Sequence, residues 1–152
     1  MKNWLTKCFA TGLFTGYSPT VPGTVGTLPA WLIAWFIIGD NQSLLIAGTV
    51  VMTMASVWLA TLAEPLFGHD AKKIVIDEWA GMFVSLLLIP YQWEYYLLAF
   101  AAFRVFDVLK IPPAAQAERL PRGWGVTADD IVAGIQANLV TQAAIWYFWS
   151  SN

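Results

Sequence analysis

The sequence is short of charge, of cysteine and of histidine, and each shortage removes a class of function. Charged residues make up 12% of the 152 residues, against roughly 25% in an ordinary soluble domain. A water-soluble fold of this length would leave too much apolar surface bare. The single cysteine, Cys8, excludes an intramolecular disulfide and any Cys-pair metal site. It also lacks an Arg at the spacing of a Cys-phosphatase loop. The single histidine, His69, excludes a site with two His ligands or a His-rich phosphohydrolase centre. Lys2 and Lys7 are followed by Gly12 and Gly16, which makes the N-terminal stretch a poor cleavable signal peptide. The formal net charge of −2 says less than the positions of the charges.

What the chain has in plenty is apolar surface. Hydrophobic residues are 58% of the total, with nine Trp and five Tyr, a stock suited to anchoring at two membrane interfaces. The runs Leu28–Gly39, Leu44–Ala63, Trp79–Ile89, Tyr95–Val108 and Ile131–Trp149 predict four or five apolar helices. Leu44–Ala63 and Ile131–Trp149 approach the ~20 residues needed to cross about 30 Å of hydrocarbon. The shorter runs must tilt, extend through their flanks or be re-entrant. Glu64–Ile76 is mixed, a loop or interfacial helix. The expected fold is all-α: one domain over residues 1–152, a compact multi-pass membrane bundle. The alternative is a fully buried soluble helical bundle.

Charge placement gives an orientation. If each apolar run crosses once, the turns Asp40–Ser43 and Pro90–Glu94 and the tail Ser150–Asn152 share one side, and none holds Lys or Arg. Lys2, Lys7, Lys72, Lys73, Lys110, Arg119 and Arg122 fall on the other, with Arg104 close by. By the positive-inside rule that side is cytoplasmic. Glu64, His69, Asp70, Asp77, Glu78, Asp107, Glu118, Asp129 and Asp130 go with it, leaving Asp40 and Glu94 outside.

Four motifs on that side bear chemistry. Gly16–Thr27, GYSPTVPGTVGT, offers glycines and hydroxyls before a helix, where backbone N–H groups can meet phosphate oxygens. It also reads as a plain turn bent at Pro22-Gly23. Asp77-Glu78 opens an apolar run, where acids favour the positive end of a helix dipole. Paired carboxylates at a membrane boundary are costly unless neutralised. Arg104, Asp107 and Lys110, three residues apart, are expected along one helical face, as an ion-pair ladder or as a metal ligand flanked by phosphate-binding cations. Finally, Thr127-x-x-Asp130 resembles the capping box that starts a helix, which leaves Asp129 unexplained. Hard oxygen ligands without several His or Cys favour Mg2+ or Mn2+ over Zn2+.

These four stretches, in this order, resemble the phosphatidylglycerophosphatase A family. The resemblance runs from about Gly12 to Ala137 and rests on Gly16–Thr27, on His69-Asp70 with Ile74–Met82 (IVIDEWAGM), on Phe103–Lys110 (FRVFDVLK), and on Gly125 with Asp129–Gly134 (DDIVAG). Ile111-Pro112-Pro113 and Val126-Thr127-Ala128 depart from the family's usual residues and leave the charged positions intact. The resemblance implies a Mg2+-dependent hydrolase removing the terminal phosphate of phosphatidylglycerophosphate in the bacterial inner membrane. Its expected metal ligands are Asp77, Glu78, Asp107, Asp129 and Asp130, with one carboxylate or His69 as base. Arg104, Lys110, Gly23, Thr24, Gly26 and Thr27 would face the phosphate. The expected partners are phospholipids and not nucleic acid. The alternatives are a membrane phosphotransferase using a CDP-linked lipid, for which the long acidic signature on one helix is missing, and a small ion or metal transporter, whose charges belong nearer the bilayer midplane. A non-catalytic helical subunit has no positive feature in its favour.

Overall fold

The computed structural model describes residues 2–68 and 71–150. Among them there are helices and turns and no strand. Helix α1 spans Lys2–Ala10 and leads through a tight turn to α2, Pro22–Ile33. Pro22 stands at the first position of α2, where its missing N–H costs no hydrogen bond. The backbone widens to a π-helical turn over Ala34–Ile38 and stops at Gly39, whose φ of 64° suits only glycine. Helix α3, Gln42–Phe67, is capped by the Asn41 side chain, which accepts from the Leu44 N–H at 3.0 Å. Helices α4 (Ile76–Leu86), α5 (Trp93–Leu109), the single turn α6 (Ala114–Ala117) and α7 (Gly123–Ser150) complete the chain.

Two helices reach spanning length, α3 over Gln42–Phe67 and α7 over Gly123–Phe148, 26 residues each, or about 39 Å at 1.5 Å per residue. They coincide with the two longest apolar runs of the sequence. Only 28% and 22% of their most apolar stretches are buried, and Val51, Met54, Trp58, Leu139 and Trp146 point outward. The core helix of a soluble protein would bury such residues. Of the four or five apolar helices expected, some short or re-entrant, these two are the ones whose length and composition suit a membrane span among the described residues. The 12 residues of α2 with the five of its π-helical extension, and the 11 of α4, stop short of that length.

Helix α4 is the hub. Every residue from Ile76 to Leu86 is buried, enclosed by α2, α3, α5 and α7. Its tightest neighbour is α7: a Cβ on Gly134 would collide with the Gly81 carbonyl, and one on Gly81 would sit 2.6 Å from the Asp130 carbonyl oxygen. Buried Ala133 and Ala137 extend this small-residue seam, the usual way for apolar helices to approach closely. Polar clasps fix the register. Asn138 donates from Nδ2 to the Ser85 and Leu87 carbonyls at 3.1 and 2.7 Å, and the Ser56 and Thr127 hydroxyls meet at 2.7 Å between α3 and α7.

The turns after Gly39 and before α5 meet at one end of the bundle. Gln42 donates to the Ile89 carbonyl at 3.2 Å and accepts from the Leu88 N–H at 3.0 Å, while the Tyr91 hydroxyl donates to the Trp35 carbonyl at 2.8 Å. The acidic motifs collect elsewhere.

Candidate active site

Where the first turns of α2 and α4, the last turns of α5 and the second turn of α7 converge, they line a cavity of 480 Å³. Its wall includes Gly23, Thr24, Asp77, Glu78, Arg104, Asp107, Lys110, Asp129 and Asp130. Four of the five expected acids are nearly sealed from solvent, with exposures of 6% for Asp77, 8% for Glu78, 5% for Asp129 and 3% for Asp130. Burial pushes the Asp77 carboxyl well above the usual carboxylate range, and the charges of Glu78, Asp129 and Asp107 push it further. Glu78 is pushed up to about 8, by burial first, although the Arg104 guanidinium pulls the other way. Such a cluster lacks positive charge.

Two cations supply part of it. Arg104 Nη1 lies 2.8 Å from Asp107 Oδ2 and 3.3 Å from Glu78 Oε2. Lys110 Nζ lies 2.9 Å from Asp129 Oδ2 and 3.1 Å from Glu118 Oε2. Arg104 and Asp107 are thus the expected i,i+3 pair. Lys110 does not continue that face: α5 ends at Leu109, and Lys110 turns into the left-handed region at φ 46°, carrying its side chain over to α7. The sequence places Glu118 on the cytoplasmic side and no more, because nothing local in it announces a partner for Lys110.

The glycine-rich motif divides. It is no loop beyond Val21, since residues 22–27 already form α2. Gly23 faces the cavity because Arg104 and Glu78 come so close that a Cβ there would lie 2.6 Å from Glu78 Oε1 and collide with Arg104 Nη2. Thr24 lines the same wall. Gly26 serves packing: a Cβ would fall 2.6 Å from that of Val75, and its carbonyl accepts from Trp79 Nε1 at 2.8 Å. Thr27 is buried and turned to Glu78 and Arg104. Neither Gly26 nor Thr27 lines the cavity.

The capping box is also corrected. Helix α7 begins at Gly123, so Thr127 lies inside it and spends its hydroxyl on Ser56. Glycines at 123 and 125 permit that early start, because a Cβ at either would strike the Val57 or Leu120 carbonyl. Asp129 and Asp130 consequently sit on a helix wall. His69, and Asp70 beside it, lie outside the described residues. Val21, Ala71, Lys72 and Ile74 line the cavity as well; in the sequence Lys72 stands out only as part of the charge asymmetry.

Two oxygens bear on a metal. Asp77 Oδ1 and Asp130 Oδ2 are buried and find no hydrogen-bond partner among the described residues, an expensive condition for a carboxylate. Their chemistry fits a hard, oxygen-seeking divalent cation. Among the described residues, no three His, Cys, Asp or Glu side chains already surround a common point; Arg104 and Lys110 instead hold oxygens of Glu78, Asp107 and Asp129.

Helical throughout its described elements, apolar on its outside and acidic at one buried centre, this is the make-up of an apolar helical bundle with a polar site at one end. A profile of the phosphatidylglycerophosphatase A family matches residues 8–145. The chain belongs to that family. Phosphatidylglycerophosphatase A of Escherichia coli is 34% identical over 145 residues, covering 91% of this chain and 80% of its own, and that of Haemophilus influenzae is 33% identical over 138 residues, covering 88% and 85%. A Bacteroides thetaiotaomicron protein described as a candidate phosphatidylinositol-3-phosphatase is 33% identical over 152 residues, with 95% and 96% covered. No solved structure is matched by the chain.

Proposed function

We propose that the chain hydrolyses the terminal phosphate monoester of phosphatidylglycerophosphate, releasing phosphatidylglycerol and inorganic phosphate. The observation that carries this is the cavity itself: buried carboxylates of α4 and α7 facing Arg104 and Lys110, in a member of a family named for that reaction. The reading includes Mg2+, held by Asp77, Asp129 and Asp130, with Glu78 and Asp107 closing the cluster from the Arg104 side. When bound, Mg2+ supplies charge neutralisation at the phosphate and makes a water more acidic.

The remaining work falls to the chain. A carboxylate of the cluster takes the proton of the attacking water as its oxygen bonds to phosphorus. The P–O bond to glycerol breaks, and the departing oxygen receives the proton that the carboxylate took from the water. Arg104 and Lys110 face the non-bridging oxygens, and the N–H groups at the start of α2, by Gly23 and Thr24, add donors at the positive end of that helix. Lys110 must loosen from Asp129 when substrate and cation enter.

In this reading the bundle lies in the inner membrane with α3 and α7 spanning it, the shorter helices packed between them and the cavity at the cytoplasmic face. The outward apolar residues of both long helices support the embedding. Gathering of Lys72, Lys110 and Arg104 at the cavity, away from the Gln42–Ile89 end, supports the orientation. The acyl chains then stay in lipid while the headgroup reaches the acids.

Phosphate release by the purified protein, measured with Mg2+ and with EDTA, tests the reading. Phosphatidylglycerophosphate is expected to be turned over only with Mg2+. Release that ignores EDTA would remove the metal. Preference for phosphatidylinositol 3-phosphate, the lipid named in the Bacteroides relative, would keep the chemistry and change the headgroup.

A further inference from the structure

Beneath the cavity wall lies a side chain that does not itself line the cavity and holds two that do. Thr27 is fully buried. Its hydroxyl lies 2.7 Å from Glu78 Oε2 and receives a hydrogen bond from Arg104 Nη1 at 3.1 Å. A hydroxyl has one proton to give. The Gly23 carbonyl, at 2.8 Å, competes for it, but a carboxylate is the stronger acceptor. Thr27 therefore donates to Glu78 while accepting from Arg104, in the one polarity that serves both. Three helices meet in this knot, Thr27 from α2, Glu78 from α4 and Arg104 from α5.

The consequence lies in how the guanidinium is aimed. Nη1 is saturated by Glu78, Asp107 and Thr27. Nη2 lies against Gly23 at the cavity wall, and Nε is buried without a hydrogen-bond partner among the described residues. Nη1 is tied down and Nε is sealed in the wall, which leaves Nη2 as the part of the fork that can meet an anion in the cavity. We infer that Thr27 is a positioning residue, orienting Arg104 and Glu78 so that Nη2 of Arg104 meets the phosphate. This rests on the reading that the cavity takes a phosphate group, and it moves Thr27 from the ligand's surface to the layer behind it.

The test uses full-length protein with Thr27→Val, which keeps the side chain's shape and removes the hydroxyl, beside Thr27→Ser, which keeps the hydroxyl. The probe is inorganic phosphate, read by calorimetry and by phosphate-induced thermal stabilisation, so it does not depend on the lipid. Thr27→Val should weaken phosphate binding about tenfold, the scale of one lost hydrogen bond to a charged group, and raise KM for the lipid more than it lowers kcat. Thr27→Ser should restore both. Should Thr27→Val fail to fold, Thr27→Ala, a good helix former, takes its place with the same expectation. Wild-type affinity and KM in a folded Val or Ala variant would overturn the inference, as would a Ser variant no better than Val. Wild type that binds phosphate yet turns over no lipid would sink the enzymatic reading and leave the inference standing. Wild type that binds no phosphate would sink both.

Discussion

The two ends of this bundle solve opposite problems. At one, acids from α4, α5 and α7 are forced together with Arg104 and Lys110 as their protein counter-charges. At the other, Trp35 stacks on Tyr91 with ring centres 4.3 Å apart, Tyr96 meets both edge-on, and Gln42 and Tyr91 satisfy backbone groups of the facing turns. The aromatic end is built from stacked and edge-on rings, and the buried oxygen these rings leave without a partner among the described residues is the neutral Tyr96 hydroxyl. The acidic end keeps buried oxygens on Asp77 and Asp130 with no partner among the described residues. Unmet bonding capacity occurs at both poles, but a neutral hydroxyl is cheaper to leave bare than a carboxylate, so it is the acidic pole that calls for a cation from outside.

The contrast can be broken most sharply at the acids. Asp130→Asn should cut turnover by more than the roughly 10–100-fold that supporting residues around a metal cost, while the protein still extracts and elutes as folded. Retained activity would take Asp130 out of the site. A smaller effect is expected at the seam that brings the acids together. Gly134→Ala should lower stability by about 1–3 kcal/mol, the cost of overpacking, seen as an earlier thermal midpoint. Gly48→Ala is its counterpart on α3: the added Cβ would meet nothing nearer than 3.5 Å, so relief of the glycine penalty should stabilise by about 0.5–1 kcal/mol. If both variants melt alike, the close crossing of α4 and α7 is wrong. The mildest effect belongs to the aromatic end. Tyr91→Phe removes one hydrogen bond and should cost about 1 kcal/mol with KM unmoved; a changed KM would mean that the two ends are coupled.

Much of the coarse design could be read from the chain. The long apolar runs became α3 and α7, because continuous hydrophobicity over that length admits few other outcomes. The turns Asp40–Ser43 and Pro90–Glu94 do meet at one end, and the charged motifs at another, because alternating runs leave a bundle little choice. Local signals misled where they have two meanings. Pro22-Gly23 reads as a bend, yet proline is equally at home in the first turn of a helix. Thr127-x-x-Asp130 has the spacing of a cap, yet a threonine inside a helix can spend its hydroxyl on a neighbour such as Ser56. Thr27, Glu78 and Arg104 are 51 and 77 residues apart along the chain, and no pattern of neighbours announces a contact over that distance. The α4–α7 seam did leave a trace, Ala133-x-x-x-Ala137, a spacing of small residues that marks close helix pairs.

That seam has a consequence for how such a protein can change. The separation between the Asp77 and Asp130 backbones is gauged by two absences, the missing side chains of Gly81 and Gly134. A gauge of this kind has no fine adjustment. Any replacement adds at least a methyl group and moves the helices by a whole step, so the acids keep their spacing or lose it. Variation toward new headgroups would then come from elsewhere on the rim, at Val21, Ala71, Lys72 and Val108, where side chains can grow or shrink without resetting the distance between the two acids.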